Sequence, residues 1–187
     1  DMDDKIKLWS ANNWMGTELE PYHRLGTKQK GSFGEAYVEG YMSHKGSHVI
    51  SPINKGHDRI IDGHKTEIKF SLASSNSKKK DGKLIDIDSF TFNHIAVNKD
   101  WDRFIFFGIN PNKNNPRIRN KGANKPEIRA YFMTKDDFKK HMSINGRHCE
   151  VFKPQQGGKN SNNDDYIVAG DIGKLISLPF IKPISEW

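Results

Sequence analysis

The chain runs to 187 residues with a net charge of +7 and one cysteine, Cys149. That length suits one domain with a sizeable core, and a lone cysteine excludes both an internal disulfide framework and a Cys-rich zinc site. The basic balance, with a pI of about 9.4, points to an anionic partner such as nucleic acid, and no apolar run approaches the ~20 residues that cross a bilayer.

The lone cysteine leads us to expect a reducing, cytoplasmic setting, and the opening Asp1-Met2-Asp3-Asp4-Lys5 reads as polar, without the apolar core of a signal peptide. Residues 5–25 mix Trp9, Trp14 and Tyr22 with polar residues and read as short helix or loop. From Ser32 to Lys45, Phe33, Ala36, Tyr37, Tyr41 and Met42 recur at the spacing of one helical stripe. Ser32 is the expected N-cap, with Glu35 as its capping-box partner. Gly46 is the expected stop.

Val49-Ile50 begins extended structure. Asp58–Ile61 and Thr66–Phe70 read as two strands, and Asp62-Gly63 between them is a strong hairpin turn signal. Residues 71–83 are rich in Ser, Asn and Lys and read as a loop; Ser89–Val97 reads as a short helix. Arg103–Ile109 is an apolar run of strand length, with Phe104, Phe106 and Phe107 expected in the core. Residues 111–126 form a Pro/Asn-rich loop carrying Lys113, Arg117, Arg119, Lys121 and Lys125 and no acid. Glu127–Met133 reads as a strand, and Thr134 as N-cap of a helix through Lys135–Met142. Residues 153–163 are a low-complexity loop. Beyond Tyr166, Pro179 and Pro183 limit regular structure. This order gives a mixed α/β domain spanning 1–187, expected as a central mixed β-sheet flanked by helices.

The chemistry concentrates at the hairpin. Side chains alternate along a strand, so Glu67 and Lys69 share a face while Ile68 serves the other. Pairing about Asp62-Gly63 brings Asp58 beside Glu67. Two carboxylates from adjacent strands, with the Ile68 carbonyl at the same level, make an oxygen set suited to Mg²⁺, a hard cation that keeps some of its waters. Lys69 can orient a water or stabilise developing charge. Glu35 and Glu39 lie four apart on one helix face, and either can add a third acid. His57 and His64 flank the site; without a zinc-like His/Cys set they are expected to be exposed or near phosphate, not metal ligands. The turn explains Asp62 fully. Lys78-Lys79-Lys80 reads as a solvated run, Asn93 and His94 as residues serving the fold, and Cys149 as inert. The basic loop at 113–125 is the best candidate for DNA phosphate contacts.

Asp58 with Glu67-Ile68-Lys69 resembles the PD-(D/E)XK nuclease superfamily, although His57 stands where a proline commonly precedes the aspartate. Lys30-Gly31-Ser32-Phe33-Gly34-Glu35 is similar to the first helix of archaeal Holliday-junction resolvases, a pattern that favours Glu35 over Glu39. Phe90-Thr91-Phe92-Asn93-His94-Ile95, then Trp101-Asp102-Arg103, resembles a segment after the catalytic lysine of some restriction enzymes. The likeness covers roughly residues 30–111. It implies a restriction-endonuclease-like fold and a prokaryotic, Mg²⁺-dependent endonuclease using one or two ions. Hydrolysis of double-stranded DNA would leave a 5′-phosphate and a 3′-hydroxyl. Asp58, Glu67 and the Ile68 carbonyl would hold metal, Lys69 would serve the water, and Glu35 would support them. A short basic chain with no separate DNA-reading domain also resembles the small subunits of heterodimeric type IIS restriction endonucleases, which implies a larger DNA-recognition partner. A self-sufficient homodimeric nuclease or junction resolvase, and a non-catalytic DNA-binding module with a nuclease-like fold, are the competing expectations.

Overall fold

A computed structural model describes residues 19–72, 75–80, 83–96, 98–110, 127–145, 152–154, 165–171 and 175–187. Trp9, Trp14, Cys149 and the five basic residues Lys113, Arg117, Arg119, Lys121 and Lys125 lie outside them.

A 3₁₀ turn at Glu20–Arg24 leads into helix α1, Thr27–His44. The helix begins before Ser32, so neither Ser32 nor Glu35 caps it. Gly26 is the N-cap, and its N–H donates to Gln29 Oε1 at 3.0 Å. Thr27 to Lys30 lack a breaker, which lets the helix start a turn earlier than the apolar stripe suggests. The buried stripe is Gly34, Val38 and Met42, at steps of four; Ala36 is exposed. The helix ends as expected at Gly46, whose φ is 95°. The Ser47 N–H reaches the Met42 carbonyl and the Gly46 N–H the Ser43 carbonyl, both at 3.0 Å, which closes a Schellman motif.

Strands β1 (Val49–Ile50), β2 (Arg59–Ile61) and β3 (His64–Leu72) follow. β2 and β3 form the expected hairpin, with Ile61 opposite His64. Asp62 and Gly63 have φ of 49° and 81°, both positive as a type I′ turn requires. The chain then leaves the main sheet for a second hairpin, β4 (Ser75–Lys80) with β5 (Lys83–Ala96), and returns as β6 (Arg103–Asn110), parallel to β3. β7 (Glu127–Thr134) pairs antiparallel with β6 and runs into helix α2, Lys135–Asn145. Thr134 caps it as expected, accepting the Asp137 N–H at 3.1 Å. β8 (Phe152–Pro154), β9 (Asp165–Asp171) and β10 (Lys182–Pro183) complete the strands, before a final 3₁₀ turn at Ile184–Glu186. The main sheet is six-stranded and mixed, ordered β1-β2-β3-β6-β7-β10; the second is antiparallel, ordered β4-β5-β9-β8.

Three expectations fail here. Ser89–Val97 is not helix, because residues 89–96 belong to β5. Phe90 and Phe92 alternate as in a strand, but a register shift between Phe92 and Ile95 breaks the period of two and disguises it. Residues 71–83 are largely strand, and Lys78-Lys79-Lys80 lies on β4 at the edge of its sheet, where lysine discourages further strand pairing. The segment from Tyr166 holds β9 inside the second sheet and β10 at the edge of the main one, where Pro183 removes no needed donor.

β6 is buried on both faces, which explains its unbroken apolar run. Ile105, Phe107 and Ile109 pack with Ile68 and Leu72 against Val38 and Met42 of α1. Phe104 and Phe106 face the other way, into Phe90, Phe92 and Ile95 of β5 and Phe138 of α2. Thus one face carries a helix, while the other carries α2 together with a second sheet instead of helices alone. Among the described residues no helix is long and apolar enough to cross a membrane.

Candidate active site

The site forms where β2 begins, at Arg59, leaving β3 beyond Thr66 without a β2 partner. Arg59 is the first β2 residue, opposite Thr66, and the Asp58 N–H before it still donates to the Thr66 carbonyl at 2.9 Å. Beyond that point the Ile68 N–H has no strand to bond, and Asp58 Oδ2 accepts it at 2.7 Å. Alternation sends the Ile68 carbonyl to the same side, past the start of β2, while its side chain is buried in the core. Asp58 and the Ile68 backbone therefore meet at that edge, with the Glu67 carboxylate close enough for its charge to act on Asp58.

Glu67 is only 2 % exposed. A carboxylate so buried needs countercharge, and two lysines supply it: Lys69 Nζ at 2.9 Å and Lys99 Nζ at 3.4 Å, both to Oε1. Asp58 is less well served. Burial, then the neighbouring Glu67 charge, push its carboxyl up to about 6, against the Ile68 N–H and Lys69; Glu35 adds to the rise. This sets a sign for pH. The folded Asp58 keeps its proton to about pH 6 and the unfolded one only to about 3.8. Stability is therefore fully present below the unfolded value and declines as pH rises through that window. Asp58→Asn should stabilise the metal-free protein by about 2 kcal/mol at neutral pH and flatten that decline. Denaturant titrations in EDTA at acid and neutral pH check this, and identical pH dependence in both chains would refute it.

Glu35 and Glu39 meet Arg59, a residue the sequence reading did not single out. Arg59 Nη1 lies 3.2 Å from Glu35 Oε2, and its Nε 2.8 Å from Glu39 Oε2. The same Nη1 donates to the Asp58 carbonyl at 2.7 Å, so the guanidinium braces α1 against the hairpin. Glu35 is close enough to act on Asp58, yet it is turned to Arg59. Accordingly, among the described residues no three His, Cys, Asp or Glu side chains come together as a metal-binding group. The donor set is two carboxylates and a carbonyl, all hard oxygen. It fits Mg²⁺, which retains waters and takes one or two protein carboxylates, and it does not fit zinc.

His57 is not exposed, as the sequence suggested, but buried. Its Nε2 accepts the Ile53 N–H at 3.4 Å and its Nδ1 bonds the Asp100 carbonyl at 3.0 Å. A neutral ring can do both only with its proton on Nδ1. It clamps the loop before β2 to the loop before β6. His64 is half-buried and packs edge-on to Trp187 at 6.3 Å. Asp62 does more than turn: it accepts the His48 N–H at 2.8 Å and the Trp187 indole at 2.9 Å. Burial opposes its ionisation, but bonds from His48, Ser47 and Trp187 hold its carboxyl below the ordinary value. A cleft of about 370 Å³ lies between the end of α1 and the C-terminal turn, walled by Tyr41, Met42, Lys45 and Trp187, and contains no hairpin-site residue other than the turn's Asp62.

Lys99 was missed because nothing local marks it. The available signal was the return of the chain: β6 runs parallel to β3, with Arg103 beside Thr66, so residues just before β6 arrive at the end of β3 that carries Glu67. Comparison with known proteins returns nothing: no family model, curated protein or solved structure matches the chain.

Proposed function

We propose that this chain is a Mg²⁺-dependent DNA endonuclease with a restriction-endonuclease-like core, acting as the strand-cleaving small subunit of a type IIS restriction enzyme whose larger partner reads the sequence. The observation that carries the reading is the meeting of Asp58 and Glu67 from adjacent chain segments, with Lys69 Nζ 2.9 Å from Glu67. Asp58, Glu67 and the Ile68 carbonyl would hold the metal, which when bound supplies charge neutralisation at phosphate and a water of lowered pKa. Lys69 orients the attacking water and opposes the charge that develops on phosphate. Its neighbour Ile68, buried against α1, keeps the strand from rotating and so fixes where that ammonium points. Glu35 supports the site from α1, or a second ion, after exchanging its contact with Arg59. The net charge of +7 supports an anionic substrate.

The test is cleavage of duplex DNA by the pure chain in Mg²⁺, Ca²⁺ or EDTA, with and without a candidate large subunit. Cutting in Mg²⁺ only with the partner, leaving 5′-phosphate ends, is the expected result. Cutting by the chain alone favours a self-sufficient nuclease. Failure to cut any DNA under every condition leaves a non-catalytic DNA-binding module.

A further inference from the structure

Residues 98–102, between β5 and β6, are tied down on every side. Trp101 is 1 % exposed, and its indole donates to the Ala96 carbonyl at 2.8 Å. The Asp100 carboxylate holds Lys65 Nζ at 2.9 Å and Asn54 Nδ2 at 2.8 Å, while its carbonyl bonds His57. The Asp102 carboxylate accepts the Lys65 N–H at 3.1 Å, and its own N–H reaches the Lys65 carbonyl at 2.7 Å. Lys135 Nζ donates to the carbonyl of Lys99 itself. The backbone of Lys99 is thus held firmly against the start of β3.

Its side chain is held loosely. It is 40 % exposed, and its Nζ stands 3.4 Å from Glu67 Oε1, the oxygen that Lys69 already contacts at 2.9 Å. Neutralising Glu67 is therefore a role that Lys69 fills at closer range. A fixed backbone carrying a partly solvent-exposed ammonium beside the Glu67 carboxylate is an arrangement for a second anion. A lysine acts there as a point charge that needs no bidentate geometry.

We infer that Lys99 is a second phosphate-binding residue of the hairpin site, holding a DNA backbone phosphate next to the one at Lys69. This rests on the nuclease reading and adds a substrate contact to it. Lys135 and His57 are positioning residues for it, acting through the Lys99 and Asp100 carbonyls.

The experiment measures metal-free binding of a fluorescent duplex, in EDTA, across a salt series. It compares the full chain with Lys99→Gln, which removes the charge but keeps the length, and Lys99→Arg, which keeps the charge. Lys99→Gln should lower the slope of log K against log salt by about 0.9 and weaken binding about tenfold at 0.1 M salt. Lys99→Arg should retain the parent slope. Unchanged slope and affinity in Lys99→Gln overturn the inference, as does a parent chain that binds no duplex at low salt. Cleavage in Mg²⁺, with the large subunit if it is required, separates the two readings. A parent chain that cuts while Lys99→Gln binds and cuts like it refutes the Lys99 role alone. A parent chain that never cuts removes the nuclease reading.

Discussion

On the proposed nuclease reading, Lys69→Ala should cut DNA at least about a thousandfold more slowly than the parent chain while folding normally, because it removes the ammonium 2.9 Å from the Glu67 carboxylate. The loss should fall on the rate of the chemical step. Lys69 is partly exposed and lies on the face of β3 away from α1, so its removal leaves the packing of Ile68 and Phe70 untouched. Glu67 keeps Lys99 as a partner at 3.4 Å, which spares it from becoming an isolated buried charge. Lys69→Arg is a stringent companion, since a guanidinium cannot give up a proton and has a different reach. Single-turnover cleavage measures both variants, and a thermal melt confirms the fold. Cleavage by Lys69→Ala at the parent rate would remove Lys69 from the chemistry and the site assignment with it.

What could be read in the sequence was what local chemistry dictates. Asp62-Gly63 suits the two adjacent positive φ values of its turn, and that turn sets the register of the hairpin from Ile61 opposite His64 to Arg59 opposite Thr66. Gly46 and Thr134 mark helix ends through bonds to their own neighbours. The misreadings arise where distant contacts override local pattern. Phe90, Phe92 and Ile95 lose the period of two because the register shifts between Phe92 and Ile95. Ser32 with Glu35 has the form of a capping box, but the helix runs through both, and Glu35 is drawn to Arg59 on a strand instead. His57 looks like a surface residue until Asp100, far along the chain, supplies a carbonyl for its ring. Lys99 and Arg59 enter the site for the same reason. Each reaches its partner across the parallel return of β6 or the packing of α1, and neither contact leaves a mark in the residues beside it.

That packing of α1 makes one glycine critical. Gly34 lies on the buried stripe with Val38 and Met42, directly over Phe70 of β3. A Cβ at Gly34 would stand 2.4 Å from Phe70 Cβ and 2.8 Å from its Cγ. Phe70 cannot turn away, because its Cβ moves only with the strand. Its ring is also enclosed by Tyr22, Phe33, Tyr37 and Phe107 at centroid distances of 5.6 to 6.1 Å. The helix must lift instead. Gly34→Val should therefore destabilise the protein by about 3 kcal/mol or more, since a β-branched residue adds little helix propensity to offset the strain. Gly31 and Gly40 on the same helix have nothing within 4 Å of a Cβ. Alanine at either should stabilise by up to about 1 kcal/mol, because only the propensity term acts there. Urea titrations of the three variants read these opposite signs directly. Lifting α1 also carries Glu35 and Glu39 off Arg59, so a folded Gly34→Val chain should lose the brace on the Asp58 carbonyl along with its stability. Equal stability of Gly34→Val and the parent would mean that α1 does not rest on Phe70.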